Sequence, residues 1–485
     1  MVKEFRGEFI TDGKVLHCSI CNEQVVCSRK SQVTQHRLTK KHIASSSSNA
    51  PIQQLVPNTQ PTTAQPKPEY YSEKLCKALV AADIPFNKLK NTTLVSFLEE
   101  FTQLKTPDES TLRKNYLTKL YEKKLQNIRD ALHGSNIWIS VDETTDATGR
   151  AIGHVVVGEL RPDYPGRSFL LNCEELEKTN SSTVSQLVLT SLQILWPEGL
   201  EYQCVLLIVT DAAAYMKKAA SILSALFPNM LHLTCLAHAL HRLSEKIRSM
   251  HPEVDGLISS VKKIFVKAGA RRTVFKEVNP GIPLPPAPVL TRWGSWISAA
   301  IYYAKHIDAV ETAINKLDEE DSSSIPKAKR HIESQGIKQD LAFIASNFTL
   351  LPRSIEQLEE PNVLLADSLS VFMDTKRRVA AIPGEKGTII NDKLQLIIRG
   401  NPGLQKIGQL AAMITGDDHY ASLGDKGRED IELSPENVAK FGWAPVTSCD
   451  VERSFSKYKM ILSDRRQSFT IENIRSYIVV NCNSD

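Results

Sequence analysis

"WISVDETTD", residues 138–146, decides how this chain is read. An apolar run with the pattern of a buried strand ends in three acids, Asp142, Glu143 and Asp146, with two threonines between the last pair. A carboxylate at the end of a core strand is costly unless something holds its charge. The run from Asn136 to Asp142 is the first strand candidate, "AIGHVVVGEL" (151–160) the second and "SFLLNCEEL" (168–176) the third. "SSTVSQLVLTSLQILWP" (181–197) reads as a helix stopped by Pro197. "QCVLLIVTD" (203–211) is an apolar strand that also ends on an aspartate, Asp211, and the helical "AAAYMKKAASILSALFP" (212–228) follows. Three strands, a helix and a further buried strand specify an α/β fold. Short links make the first three strands an antiparallel meander, and the helical crossover makes the fourth parallel to a neighbour.

Asp142 and Asp211 therefore both close buried strands. If those strands are neighbours, the two carboxylates meet at one sheet edge, where they repel unless a cation bridges them. Oxygen ligands select a hard ion, Mg²⁺ or Mn²⁺, and such an ion can activate water or a 3′-hydroxyl for attack on a phosphodiester. Taken singly, each aspartate also reads as a cap of the turn or helix after it. A third carboxylate is needed. Far along the chain, "SCDVERSF" (448–455) supplies Glu452 on a helical pattern through Val451, Phe455 and Tyr458.

Residues 18–42, "CSICNEQVVCSRKSQVTQHRLTKKH", hold a second constellation. Cys18 and Cys21 form a CxxC knuckle, and His36 and His42 follow at spacings that suit a tetrahedral zinc site. "KVLHC" suits a short strand and "SRKSQVTQHRLTKKH" one helix, a ββα-type zinc finger whose small core zinc would hold together. The helix presents Arg29, Lys30, Arg37, Lys40 and Lys41 as phosphate contacts. Residues 1–45 carry eight Lys and Arg against four Asp and Glu, an excess equal to the whole chain's net charge of +4, so a polyanion partner is expected at this end.

Domain boundaries follow from composition. Residues 1–45 are the finger. The Ser-, Gln-, Thr- and Pro-rich stretch 46–69 reads as a flexible linker. Residues 70–133 carry apolar positions at helical spacing, with a helix start at Thr106–Pro107, and read as a helical domain. Residues 134–244 hold the strands and 245–440 are mostly helical in pattern. Residues 441–485 return to the core. No apolar run approaches the roughly 18 residues of a membrane span. The charged opening "MVKEFRGEFITDGK" reads as no secretory signal, and nine scattered cysteines suit free thiols, so an intracellular protein is expected.

The blocks named so far, taken in order, resemble the hAT family of transposases and their domesticated relatives. "ISVDETTD" and "VTDAAAYMKKA" are similar to that family's two aspartate blocks, "CLAHALHRL" (235–243) to its Cys-x-x-His block and "TRWGSW" (291–296) to its Arg-Trp block. "SCDVERSFSKYKMILSDRRQSF" (448–469) resembles its C-terminal signature. The finger stretch "EFRGEFITDGKVLHCSICN" and "IPFNKLKNTTLVSFLEEF" are similar to the CGG triplet repeat-binding protein. The resemblance implies a ribonuclease-H-like core interrupted by the 245–440 insertion. It implies catalysis by Asp142, Asp211 and Glu452, with Cys235 and His238 shaping the site and Arg292 and Trp293 contacting DNA. Cys235 and His238, with no matching pair nearby, read as packing and DNA contact rather than a zinc site. The resemblance further implies double-stranded DNA as partner, a nuclear location and a homo-dimer or higher oligomer through the C-terminal region. The expected function is metal-dependent DNA cleavage and strand transfer. The alternative is a domesticated, non-catalytic nuclear DNA-binding transcription regulator. Ala212 stands where family members commonly have Asn after the second aspartate.

Overall fold

The structure is a computed structural model that describes residues 8–11, 16–21, 23–25, 30–47, 68–289, 294–423, 432–462 and 469–484. Two compact units are present, Met1–Tyr70 and Tyr71–Asp485.

In the first unit, β1 (Phe9–Thr11), β2 (Leu16–Cys18) and β3 (Glu23–Val25) pair antiparallel in that order. Where one helix was expected there are two, Lys30–Arg37 and Lys40–Ser47. Thr39 makes the break. Its hydroxyl donates to the His36 carbonyl at 2.8 Å and accepts from the His42 backbone N–H at 3.4 Å, which caps the second helix. Among the described residues, the buried apolar cluster here is Phe9, Cys18, Cys21, Val25 and Val33.

The second unit is built on a mixed five-stranded sheet of order β6-β5-β4-β7-β8. Its strands are β4 (Ile137–Thr145), β5 (Ala151–Glu159), β6 (Ser168–Leu176), β7 (Val205–Thr210) and β8 (Leu231–Thr234). β4, β5 and β6 form the expected meander, and β7 lies parallel to β4. β8, parallel to β7, was not foreseen. Its four residues, "LHLT", are too few to show a period. Asn401 closes that edge like a further strand, accepting from the Thr234 N–H at 3.0 Å and donating to the Thr234 carbonyl at 2.9 Å.

Alternation along β4 sorts its acids. Trp138, Ser140 and Asp142 face one way, and His154 lies opposite Asp142 on β5. That face is covered by the Cys449–Ile461 helix, and the Ile471–Cys482 helix covers β6. Glu143 points to the other face, which carries the Ser181–Leu195 and Ala214–Ser224 helices. Glycines allow both contacts. A Cβ on Gly158 would stand 2.4 Å from the Trp138 ring, and one on Gly153 would stand 2.5 Å from Leu187.

The helices before and after the sheet share its hydrophobic core. Before it, a helix begins at Glu109 and continues through a π-helical stretch, Leu112–Leu117, into Thr118–Leu132. Its cap is Asp108, which accepts from the Thr111 N–H at 2.8 Å, and not Thr106, whose own N–H donates to Glu99 at 2.8 Å. After β8, the described residues up to Lys440 form helices and their connections. No helix among the described residues is long and apolar enough to cross a membrane.

Candidate metal centres

In the smaller unit Cys18, Cys21, His36 and His42 each offer one ligand atom within 4.8 Å of the others. Cys18 Sγ lies 3.3 Å from His42 Nδ1, and Cys21 Sγ lies 3.2 Å from His36 Nε2. Burial, with the Cys18 thiol beside it, raises the Cys21 thiol above its ordinary value, the cost of two thiols sharing a site without a cation. Two sulfurs and two imidazole nitrogens around one point can bind a metal and suit zinc. Of the expected phosphate contacts, Arg37 is paired with Glu8 at 2.7 Å and Lys41 with Glu23 at 2.5 Å. Lys40 is exposed. Lys30 opens its helix, and Arg29 lies outside the described residues.

In the larger unit the sheet delivers Asp142 to the end of the buried part of β4. Asp211 follows β7 directly, whereas β4 runs on past Asp142 to Thr145, so the strand expected to close at Asp142 does not end there. The parallel β4–β7 register still brings the two aspartates level at that edge. Each keeps one oxygen on local backbone. Asp142 Oδ1 accepts from the Glu143 N–H at 2.8 Å, and Asp211 Oδ1 accepts from the Ala213 N–H at 3.1 Å. The capping expected of each aspartate is met only in part. Asp211 holds the turn after β7, whereas Asp142 lies inside β4 and caps neither turn nor helix, and the Ala214–Ser224 helix has no side-chain cap.

The C-terminal segment reaches this edge through backbone bonds. Cys235 N–H donates to the Thr210 carbonyl at 2.8 Å, and Leu236 N–H donates to the Val446 carbonyl at 3.0 Å. Ser448 N–H then donates to Cys235 Sγ at 3.3 Å, and the Cys449–Ile461 helix starts there. Glu452 sits in its first turn, beside the Leu236–Ser249 helix that carries His238. His238 Nε2 lies 3.8 Å from Glu452 Oε1, and its Nδ1 lies 3.4 Å from Ser448 Oγ.

Asp142, His238 and Glu452 form a group whose ligand atoms lie within 4.8 Å of one another. The three-carboxylate set read from sequence is thus rearranged. His238, expected only to shape the site, stands among the candidate ligands, and Asp211 is not in that group. Alternation did not reveal this, because His238 comes to the group from a separate helix.

The electrostatics show a site short of positive charge. Burial, then the Glu452 carboxylate, holds the Asp142 carboxyl well above its ordinary range, with Asp211 and Glu143 adding to the effect and His238 opposing it. Burial also raises Glu143, against the Tyr215 hydroxyl that donates to it, and Asp211 raises it further. Burial would lower His238, but Cys235, Asp142 and Glu452 outweigh it and push the imidazole up to about 9. Burial likewise opposes ionisation of Cys235, yet His238 and Ser448 bring its thiol below the ordinary value.

Asp146 does something different. It accepts from Thr148 N–H, Thr148 Oγ1 and Arg150 N–H, pairs with Arg150 Nε at 2.8 Å, and takes the Tyr458 hydroxyl at 3.3 Å. The three acids of the opening stretch thus hold a candidate metal group, a tyrosine and the base of the Glu452 helix, respectively. Arg292 and Trp293 lie outside the described residues.

No curated protein matches the chain. Residues 107–268, which include Asp142, Asp211, Cys235 and His238 but not Glu452, match the family described as Domain of unknown function (DUF659), a domain of hAT-like, transposase-related proteins.

Proposed function

We propose that this chain is a DNA-binding, hAT-like transposase whose larger unit cleaves and rejoins DNA with a divalent cation. The observation that carries the reading is the meeting of Asp142, His238 and Glu452, from a strand and two helices far apart in sequence, in one group. The strand order β6-β5-β4-β7-β8, with Asp142 on β4 and Asp211 just after the adjacent parallel β7, supports a ribonuclease-H-like core interrupted by the 245–440 helices. The donor set fits a divalent ion, because two carboxylates crowded beside Asp211 and Glu143 need compensation that protein cations do not complete. When bound, Mg²⁺ or Mn²⁺ there supplies charge to a phosphodiester oxygen and acidifies the attacking water or 3′-hydroxyl. Asp142 and Glu452 hold it, and Glu452, with a side chain 40% exposed, opens the site to substrate. Asp211 adds negative charge alongside.

In the smaller unit the Cys₂His₂ group holds structural zinc, and the basic helix residues dock on DNA phosphates. A nuclear location follows from that role. A homo-dimer through 441–485 would use the outer side of the Ile471–Cys482 helix, since Ile474, Tyr477 and Ile478 are buried in the chain's own core.

The test is nicking of terminal-repeat or hairpin DNA by the full chain with Mg²⁺ or Mn²⁺. Metal-dependent nicking that is lost in Asp142→Asn and Glu452→Gln supports the proposal. DNA binding without nicking in either metal would leave the non-catalytic regulator.

A further inference from the structure

We infer that His238 Nε2 is itself a ligand of the ion held by Asp142 and Glu452, so that the site favours Mn²⁺ over Mg²⁺. The inference rests on the metal reading above and adds the identity of the third ligand and the class of ion. Three observations carry it.

The first is spacing. Ligand atoms about 2.0–2.2 Å from a common ion stand at most about 4.4 Å from one another. His238 Nε2 and Glu452 Oε1, 3.8 Å apart, are too distant for a good hydrogen bond and well spaced for two bonds to one ion. Asp142 offers an oxygen within 4.8 Å of the other two ligand atoms, so a side-chain shift of at most a few tenths of an ångström brings all three onto one ion.

The second is orientation. A metal-bound imidazole commonly anchors its other nitrogen on a neighbouring acceptor, which fixes the tautomer and the ring plane. His238 turns Nδ1 toward Ser448 Oγ at 3.4 Å, and its ring also bonds the Cys235 thiol. Both anchors are themselves fixed, since Ser448 N–H donates to Cys235 Sγ and Cys235 N–H donates to β7. The Cys-x-x-His spacing thereby has a role that needs no second Cys-His pair. The cysteine supports the ring, and the histidine turns Nε2 to the carboxylates.

The third is donor chemistry. Mg²⁺ takes oxygen ligands in a strict octahedron, whereas first-row divalent ions accept imidazole readily. Replacing one oxygen by nitrogen in the inner set therefore moves preference away from Mg²⁺. Asp211 remains available to orient bound water.

The experiment uses the full chain, purified with its N-terminal zinc in place, and Mn²⁺ as the probe. Pulsed electron paramagnetic resonance of the Mn²⁺ complex is expected to show coupling to a directly bound imidazole nitrogen. Competition is expected to give Mn²⁺ an affinity at least tenfold above Mg²⁺. Asp142→Asn should abolish the signal, which separates this site from the zinc site. His238→Asn should remove the nitrogen coupling, and His238→Asp should bring the two ions within about threefold of each other. Bound Mn²⁺ that depends on Asp142 yet shows no nitrogen coupling would overturn the inference and leave the metal reading standing. No Asp142-dependent Mn²⁺ binding at all would overturn both. The wild-type spectrum decides the point even if a variant misfolds.

Discussion

His154 Nδ1 lies 2.6 Å from Ser454 Oγ, joining two residues 300 positions apart. The Ser454 hydroxyl gives its one proton to the Val451 carbonyl at 2.6 Å, so His154 is the donor and its Nε2 carries a lone pair. That Nε2 is buried without a partner. His154 faces Asp142 across the β4–β5 ladder, and Ser454 is two residues from Glu452 on the same helix. The bond therefore sets the rotation of the helix that brings Glu452 to Asp142, with Tyr458 and Asp146 as a second tie one turn further on.

Ser454→Ala leaves the buried His154 Nδ1–H unpaired, and His154→Leu removes the donor to the Ser454 oxygen. His154→Leu or Ser454→Ala should cost about 1–3 kcal/mol in urea unfolding. His154→Asn keeps a donor near the Nδ1 position and should recover part of that loss. Equal stability of all three variants and wild type would contradict the role given to the bond.

The same histidine predicts a pH dependence. Burial lowers its imidazole to about 3, so it stays neutral in the folded chain, whereas the unfolded chain titrates near 6.5. The unfolded state binds the extra proton, so this contribution is complete above about pH 6.5 and is lost progressively as pH falls toward 3. Urea midpoints measured from pH 7 to 4 should fall more steeply for wild type than for His154→Asn, by up to about 1.4 kcal/mol per pH unit. Parallel curves would count against it.

Asp142 acts with the opposite sign. Its folded carboxyl is raised above the unfolded value, so its stabilising contribution belongs to low pH and is lost as pH rises through the folded value. Without a divalent ion at neutral pH the carboxylate is a net burden. Asp142→Asn should therefore raise thermal stability by about 1 kcal/mol or more in buffer free of Mg²⁺ and Mn²⁺. Adding Mn²⁺ should stabilise wild type and leave the variant unmoved. A destabilised Asp142→Asn protein in metal-free buffer would show that the carboxylate serves the fold instead.

Among the described residues, the smaller unit has five buried apolar residues in its cluster, too few to fold a chain of this length unaided. Elemental analysis should find one zinc per chain, and Cys18→Ser should release it. Amide exchange should then show residues 8–47 unprotected and the 71–485 unit unchanged. Protection of residues 8–47 in zinc-free Cys18→Ser would refute a structural metal.

Much of the sheet is readable from sequence because β4 to β7 are dense apolar runs with clear ends, and the links between them fix their directions. β8 escapes because it is four residues long, and the helix break at Thr39 escapes because a threonine cap within a polar helix leaves no gap in the pattern. The placement of Asp142 level with Asp211 follows from β4 and β7 being parallel neighbours, although β4 runs on to Thr145, beyond the end that the apolar run suggests. His154 is one polar residue in a β-branched run, and only its register opposite Asp142 gives it meaning. His238 is hidden for a similar reason, since its Nε2 meets the two carboxylates only when two helices and a strand converge.

Anomalous diffraction from crystals of the full chain soaked in Mn²⁺ tests the central claim most directly. One peak bonded to Asp142, His238 and Glu452 is the predicted result. Full Mn²⁺ saturation with no peak at that group, or a peak held by Asp211 and Glu143 alone, would contradict it.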